Sequence, residues 1–600
     1  MRITKRLVPL VTAGLVVALC SGGASAGAYA QAKGGSDNIL RIPVGGGGVI
    51  DSMNPFTMLN QASFDLAQIQ YESLVMPTAP DGADGPGLAE KWTVDGNTWT
   101  FELRPDLKWS DGEDLTAEDV AWNYNTIMTN PKLAISNGNL GDNLASVTAV
   151  DEDTVEIVTE TPQAINPGKL YIVPKHIWAD MESPETYENT EDVVGSGPFV
   201  MSAYSRGVSA HMKANPYNWR GAPKLDGIEV ISYKNKDAEV LALKSGEIDW
   251  SNRLTASQFD SLAGAANIEP VETGGGRYLG LSMNVGSTTL DGTPMGDGAA
   301  VLQDVVVRKA IRQALDTQQL VDKVLNGHGW TGPEILGPPT KPYYSDYEDI
   351  VDPYSPDAAN EALDNAGYTK GADGYRMDKE GKPINLRLTF DGSGAAEPQI
   401  ASFIEPWLKE IGIKVTLMPQ SIDQRDQERH SGNYDLTLNG WGNPIDPDYM
   451  LYINTCGSRA PAADGAGNGS ADNWCDPEFD ELYKQQHVEL DQDKRTKLVQ
   501  DALSIHYEAA VVAVLYYPAA LQAYRTDRIA HVTKIQNDFT AYQTFHDLTL
   551  VSQEEGTSSS SSSGEGASWP WIVAIAALVV VAGIVTIVVI RRRQTATDRE

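Results

Sequence analysis

Between residues 88 and 128 the hydrophobic pattern of the chain changes period twice. Trp99, Phe101 and Leu103 alternate with Thr100, Glu102 and Arg104, the period of a strand with one buried face, and Asp95-Gly96 supplies the turn that pairs it with Trp92 and Val94. Asp111-Gly112 marks another turn. Thr116, with Asp119 three residues on, then opens a helix whose apolar stripe is Val120, Trp122 and Ile127. Further along, Ile384, Leu386, Leu388 and Phe390 alternate as a strand, residues 400–411 read as a helix, and Ile413, Val415 and Leu417 alternate again. That succession is a βαβ unit and points to an α/β fold. Ile311, Leu315, Leu320 and Val324 recur at helical spacing and are expected in the core.

The two ends carry different patterns. Lys5 and Arg6 precede an apolar run over residues 7–19, too short to span a bilayer but suited to a signal peptide. Cleavage is expected after Ala26 or Ala30. Cys20 invites a lipoprotein reading, but the bulky Leu19 before it argues against acylation. Residues 571–590 carry no charge, and about 20 helical residues cover the roughly 30 Å hydrocarbon core, so this run is expected to be a transmembrane helix. Trp569 and Trp571 mark its outer interface, and Arg591, Arg592 and Arg593 hold the tail in the cytoplasm. Residues 556–568 are nearly all Ser and Gly and cannot bury enough apolar surface to fold, so they read as a tether. The body is placed outside the cell membrane on a single anchor.

Composition narrows the partners. With 46 basic and 81 acidic side chains, the formal net charge is −35. Such a surface repels phosphates, which excludes nucleic acid as a partner. About 520 residues lie between leader and tether, enough for two or three packed lobes. Once Cys20 leaves with the leader, Cys456 and Cys475 remain as a pair in an exported protein, and a structural disulfide is the default reading. No Gly-x-Ser-x-Gly, Walker lysine loop or His-Glu-x-x-His appears, and the eight histidines are scattered, so neither an enzyme nor a resident metal or cofactor is expected.

The order of short segments supplies a family. LAEKW, WTFELRPDLKW and SDGEDLTAEDVAWNYNTIM resemble the extracytoplasmic solute-binding proteins of peptide/nickel-type ABC importers. The similarity continues through Asp51-Ser52-Met53-Asn54-Pro55, Tyr71-Glu72-Ser73-Leu74-Val75, Val173-Pro174-Lys175-His176-Ile177-Trp178, Gly195-Ser196-Gly197-Pro198-Phe199, Trp219-Arg220-Gly221-Ala222-Pro223 and Val307-Arg308-Lys309-Ala310-Ile311. It implies a two-lobed clamshell of the periplasmic-binding-protein type (type II, with an extra subdomain), which closes on its ligand by a hinge motion. The expected organisation is a signal peptide at 1–30, a first lobe from 38–85 and 191–284 with a return at 515–552, and an extra subdomain at 86–190. A second lobe at 285–514, a linker at 553–568, a transmembrane helix at 569–590 and a tail at 591–600 complete it. Hinge strands are expected near residues 278–284 and 515–517.

The same resemblance implies a capture protein that hands cargo to permease subunits and their ATPases, as a monomer. Tyr434-Asp435-Leu436, Gly440-Trp441-Gly442 and Asp446-Pro447 are similar to the segment that lines the family's cleft. The indole of Trp441 offers a packing surface there, and the flanking glycines let a ligand reach the backbone. In peptide-binding relatives an acid shortly after the Gly-Trp pair neutralises the peptide amino terminus. Here Asn443 and Pro444 stand where that acid is expected, leaving Asp446 or Asp448 as substitutes, or an oligosaccharide as the alternative cargo to an oligopeptide. Arg429 matches a position that contacts peptide carboxylates in some relatives, although an arginine on a polar helix is more often exposed. Val44, Gly45 and Gly46 resemble an edge that pairs with extended ligands. Tyr278, Tyr516 and Tyr517 complete the expected ligand-binding set. Nickel as cargo and a ligand-binding membrane sensor are the remaining alternatives.

Overall fold

A computed structural model of the protein describes residues 38–44, 50, 52–58, 60–77, 84–136, 138–141, 143–337, 340, 342–344, 353–392, 394, 396–442, 446–531 and 545–551. The leader, the linker, the apolar run at 571–590 and the tail lie outside them. Among the described residues, no helix is long and apolar enough to cross a membrane.

The first lobe carries a four-stranded sheet. Ile39–Pro43 pairs in parallel with Gly227–Ile231, and Ser209–Ala214 and Phe199–Ser205 continue it antiparallel. The hairpin read from Asp95-Gly96 is present as strands Ala89–Asp95 and Thr98–Leu103, with Val94 opposite Trp99. Thr154–Thr159 and Leu144–Ala149 complete this second sheet, which helix Ala117–Thr129 covers. Asp119 accepts the Thr116 backbone N–H at 3.0 Å, so an otherwise orphaned donor at the helix start is satisfied. Trp99, Phe101, Val120 and Ile127 of this subdomain share one apolar cluster with Leu40, Ile42 and Ile228 of the first sheet. The subdomain is thereby welded to its lobe.

Several family segments converge on one buried acid. Glu72, 2% exposed, accepts from Asn218 Nδ2 (3.1 Å), Arg220 Nη2 (2.6 Å) and the Trp219 indole N–H, while its own amide donates to Ser196 Oγ (3.0 Å). Gly197 is required because a Cβ there would lie 2.1 Å from the Ile69 carbonyl oxygen. The joint occurrence of the segments around residues 72, 196 and 219 is thus a single hydrogen-bonded knot. A second knot closes the lobe. Asp249, fully buried, accepts from Arg41 Nη2 (2.8 Å) and Arg528 Nε (3.2 Å), joining three distant stretches of chain.

The second lobe is built on a six-stranded sheet in the order Gly329–Trp330, Val512–Pro518, Leu279–Met283, Leu436–Asn439, Asn385–Asp391, Lys414–Gln420. The last two strands run parallel and are joined by helix Ala396–Glu410, the βαβ unit read from the alternation. Ile311, Leu315 and Leu320 are buried in this lobe's core, with Val324 packed at its margin.

Two stretches of chain pass side by side between the lobes. Strand Ile268–Thr273 pairs with Ala520–Arg525 in a three-stranded first-lobe sheet, and their continuations Leu279–Met283 and Val512–Pro518 pair in the second lobe. The crossing therefore falls at residues 274–278 and at Ala519, on the first-lobe side of the expected 278–284 and 515–517. Within those expected segments, 279–283 and 515–517 are strand residues of the six-stranded sheet, and only Tyr278 belongs to the crossing. A Cβ on Gly275 would lie 1.6 Å from the Pro518 carbonyl oxygen, so only glycine lets the two crossings touch.

Candidate functional site

Strand Leu436–Asn439 ends where the site begins. Asp435, just before it, accepts from Arg387 Nη2 at 3.0 Å and from the amides of Arg387 (2.8 Å) and Ala299 (2.9 Å), which fixes the strand against its neighbours. At its far end Trp441 accepts the Tyr278 amide through its carbonyl (3.1 Å), and Gly442 forms a bridge with Arg277. The Gly-Trp-Gly segment is therefore held directly against the hinge crossing.

The two glycines play different parts. A Cβ on Gly440 would meet the Tyr278 carbonyl oxygen at 2.2 Å, so this glycine serves internal packing and not, as expected, ligand approach. Gly442 is exposed, with its nearest neighbour, the Gly276 carbonyl oxygen, at 3.8 Å from such a Cβ. Trp441 is half-buried. Tyr449 stands edge-on to it with centroids 6.5 Å apart and is 50% exposed, so the pair presents an aromatic surface. The indole N–H of Trp441 is buried with no hydrogen-bond partner among the described residues.

Arg429 lies beneath this surface, buried and not exposed as its polar helix suggests. Its guanidinium donates to the Ser470 carbonyl (3.0 Å) and to that of Ala471, and sits 5.6 Å from the Trp441 ring centroid. Asp472 beside it is pushed up to about 6 by burial, which Ser282 and Arg429 only partly offset. Cys456 and Cys475 are joined by a disulfide, Cα atoms 4.4 Å apart, closing the loop that supplies both carbonyls.

Asp446 accepts two parallel bonds from Arg495, at 2.7 and 2.8 Å. Burial opposes its ionisation, yet the guanidinium holds it below the usual carboxylate range. Its charge is thereby matched within the protein. Asp448 accepts from Gln486 Nε2 (2.7 Å) and faces His487 Nδ1 (2.8 Å). Neither substitute acid is left without partners.

The remaining expected residues fall as follows. The Val44 amide is bonded to the Ile231 carbonyl (2.9 Å), extending the parallel pair, so it is not free for a ligand strand as expected. Tyr278, Tyr516 and Tyr517 are all buried, and burial raises each hydroxyl pKa. Tyr517 Oη donates to the Glu334 carbonyl (2.5 Å) and accepts its amide (3.2 Å). Gly45, Gly46 and Asn443 lie outside the described residues. Sequence reasoning passed over Tyr449 and Glu334. The only signal for Glu334 was an acid set among Pro333, Ile335 and Leu336.

Two contacts join segments far apart in the chain. The Ala164 amide, from the extra subdomain, donates to the His487 carbonyl at 2.5 Å. Near the hinge, the ring nitrogens of His328 face Asp260 and Glu272, each at 2.9 Å. No group of three or more His, Cys, Asp or Glu residues placed to hold a metal ion occurs among the described residues.

Residues 85–461 match the family described as bacterial extracellular solute-binding proteins, family 5. The chain belongs to this family. It is 24% identical over 496 residues to the oligopeptide-binding protein OppA of Bacillus subtilis, covering 78% of this chain and 85% of that protein. With the nickel-binding periplasmic protein of Escherichia coli it shares 24% over 485 residues, 78% of this chain and 87% of the relative. The structure of the oligopeptide-binding protein AppA of Bacillus subtilis in complex with a nonapeptide superposes with a TM-score of 0.66 at 20% identity, over 86% of this chain and 99% of that one. This family 5 chain is an extracytoplasmic solute-binding protein of ABC transport and not an enzyme.

Proposed function

We propose that this family 5 protein captures oligopeptides between its lobes and delivers them to an ABC permease while anchored to the membrane by residues 571–590. The observation that carries the cargo reading is the exposed Gly442 backbone beside Trp441 and Tyr449, where an extended peptide finds main-chain groups and aromatic faces together. Similarity to relatives described as oligopeptide- and dipeptide-binding proteins supports the same class. The anchor rests on the uncharged run before Arg591, Arg592 and Arg593.

The aromatic pair, with Asn443 and Pro444 in place of an acid, also favours a sugar. The test is native mass spectrometry of the full chain in detergent, challenged with peptide and oligosaccharide pools. Retained peptides support the proposal. Retained sugars with peptides ignored, or no retained solute, overturn the cargo.

A further inference from the structure

One loop of the second lobe is fastened to the first lobe beside the hinge crossing. Asn326 and Gly327 both take positive φ, 51° and 88°, and turn the chain from helix Thr317–Val324 into strand Gly329–Trp330, the edge of the six-stranded sheet. His328 stands between turn and strand. Its carbonyl accepts the Ala519 amide (3.2 Å) at the crossing itself. Its ring reaches the other lobe, with Nε2 2.9 Å from Asp260 Oδ1 and Nδ1 2.9 Å from Glu272 Oε2. Asp260 ends helix Ala256–Asp260, which packs on the three-stranded first-lobe sheet, and Glu272 belongs to strand Ile268–Thr273 of that sheet. Asn326 Nδ2 donates to the second oxygen of Asp260 (3.0 Å), and the Phe259 ring stands edge-on to the imidazole at 5.0 Å.

This contact requires two protons on one ring. A neutral imidazole has one N–H and one lone pair, while an ionised carboxylate only accepts. Two carboxylates facing the two ring nitrogens are both satisfied only by the imidazolium. Among the described residues, neither acid is ion-paired with any other group. Arg525 of the adjoining strand is taken by Asp527 (2.5 Å), Lys323 of helix Thr317–Val324 pairs with neither acid, and Glu269, on the same strand as Glu272, bonds Tyr524. Loss of the His328 proton therefore breaks one bond and sets a lone pair against a carboxylate. Both acids belong to the first lobe and the histidine to the second, so that repulsion acts between the lobes. The lobes also meet through the extra subdomain, where the Ala164 amide donates to the His487 carbonyl, so the contact is made with the clamshell closed.

We propose that His328 is a protonation-controlled latch, which as an imidazolium holds the lobes closed and on losing its proton favours their opening. The device is independent of the cargo's identity. Bonds of this length lose their geometry within about 1 Å of displacement, so a hinge rotation that draws His328 from the two acids uncouples the ring from both. The sign follows by linkage. Burial opposes the charge of His328, but its bonds to Asp260 and Glu272 outweigh this and raise its pKa above 6.5 in the closed arrangement. Closure therefore takes up protons between pH 6.5 and the raised value, and the closed state weakens as pH rises through that window. Cargo between the lobes is accordingly retained best under mildly acidic conditions.

The test is the inter-lobe distance in the unliganded full chain in detergent, at pH 5.5 and 8.5. Double electron–electron resonance reads it between spin labels on Ser146→Cys, exposed in the extra subdomain, and Lys484→Cys, exposed on helix Pro477–Val488 of the second lobe. The ratio of short to long distances is expected to fall about fivefold or more on raising the pH. That response should vanish in His328→Gln and shrink in Glu272→Gln, whose amide can donate to a neutral ring. The same distances at both pH values in wild type, or a pH response kept by His328→Gln, overturns the latch. Glu272 is exposed, so Glu272→Gln decides the matter should His328→Gln fail to fold, and an undiminished response there overturns the latch as well.

Discussion

Removing the disulfide by the double substitution Cys456→Ser and Cys475→Ser tests how the site is supported. The bond joins residues 19 apart, and a loop of that length contributes about 3 kcal/mol by restricting the unfolded chain. Both positions reach solvent, so serine hydroxyls there are hydrated and add little cost. The native loop keeps other supports: Asn468 Nδ2 to the His430 carbonyl, Asn473 Nδ2 to the Arg429 carbonyl, both 2.8 Å, and the Ala471 amide to the Ile453 carbonyl at 2.8 Å. The second lobe is therefore expected to fold without the bond and to melt roughly 6–12 °C lower. Calorimetry should show the loss in the second-lobe transition alone, with hydrogen exchange faster at residues 456–475 and 429–441 and unchanged at 144–159. The Arg429 region should follow because its guanidinium is held by carbonyls of this loop. A melting shift under about 2 °C, or equal exchange changes in both lobes, refutes the reasoning.

Further tests concern the first lobe and the hinge. Asp249→Asn leaves Arg41 and Arg528 facing a neutral amide and is expected to cost about 2–4 kcal/mol, at the lower side for a buried pair because both arginines keep some water; urea unfolding followed by the neighbouring Trp250 reads it, and a loss below about 1 kcal/mol contradicts the knot. Gly197→Ala must displace the Ile69 carbonyl and is expected to cost about 1–3 kcal/mol by overpacking, against near zero in the same urea titration for an Ala at exposed Gly457, where the nearest atom to such a Cβ lies 3.8 Å away and the backbone is not left-handed. His328 loses some charge preference to burial, but Asp260 and Glu272 outweigh this and raise its pKa above 6.5. Its contribution is accordingly full below about pH 6.5 and lost as pH rises through the raised value. The melting difference between wild type and His328→Gln should shrink from pH 5.5 to 8.5, and a constant difference would refute the pairing.

Much of the fold was legible because its signals are local. Alternation at 99–103 and 384–390 reports which side of a strand is buried, and the Thr116–Asp119 spacing reports a helix start. The ordered segments around Glu72 were visible as text, but their meeting at one carboxylate was not, since residues 72, 196 and 219 lie far apart in the chain. The same limit hid the site's electrostatics. Nothing near Asp446 announces Arg495, and the polar run of helix Ile422–His430 gives no sign that Arg429 turns inward to two carbonyls. Burial of a charge depends on which distant groups arrive to meet it, and local periodicity does not encode that.

The three-stranded first-lobe sheet has an ordering consequence for the chain's synthesis. Its central strand is Ala520–Arg525, while the strands flanking it, Trp250–Ser251 and Ile268–Thr273, precede the entire second lobe. As the polypeptide emerges from its amino end, residues 279–518 are all available to condense before that central strand exists. The first lobe meanwhile holds two unpaired strand edges and the half-met charge of Asp249, which lacks Arg528 until last. A nascent chain stalled between residues 273 and 520 therefore exposes sticky edges, and this interval is where a chaperone has most to protect.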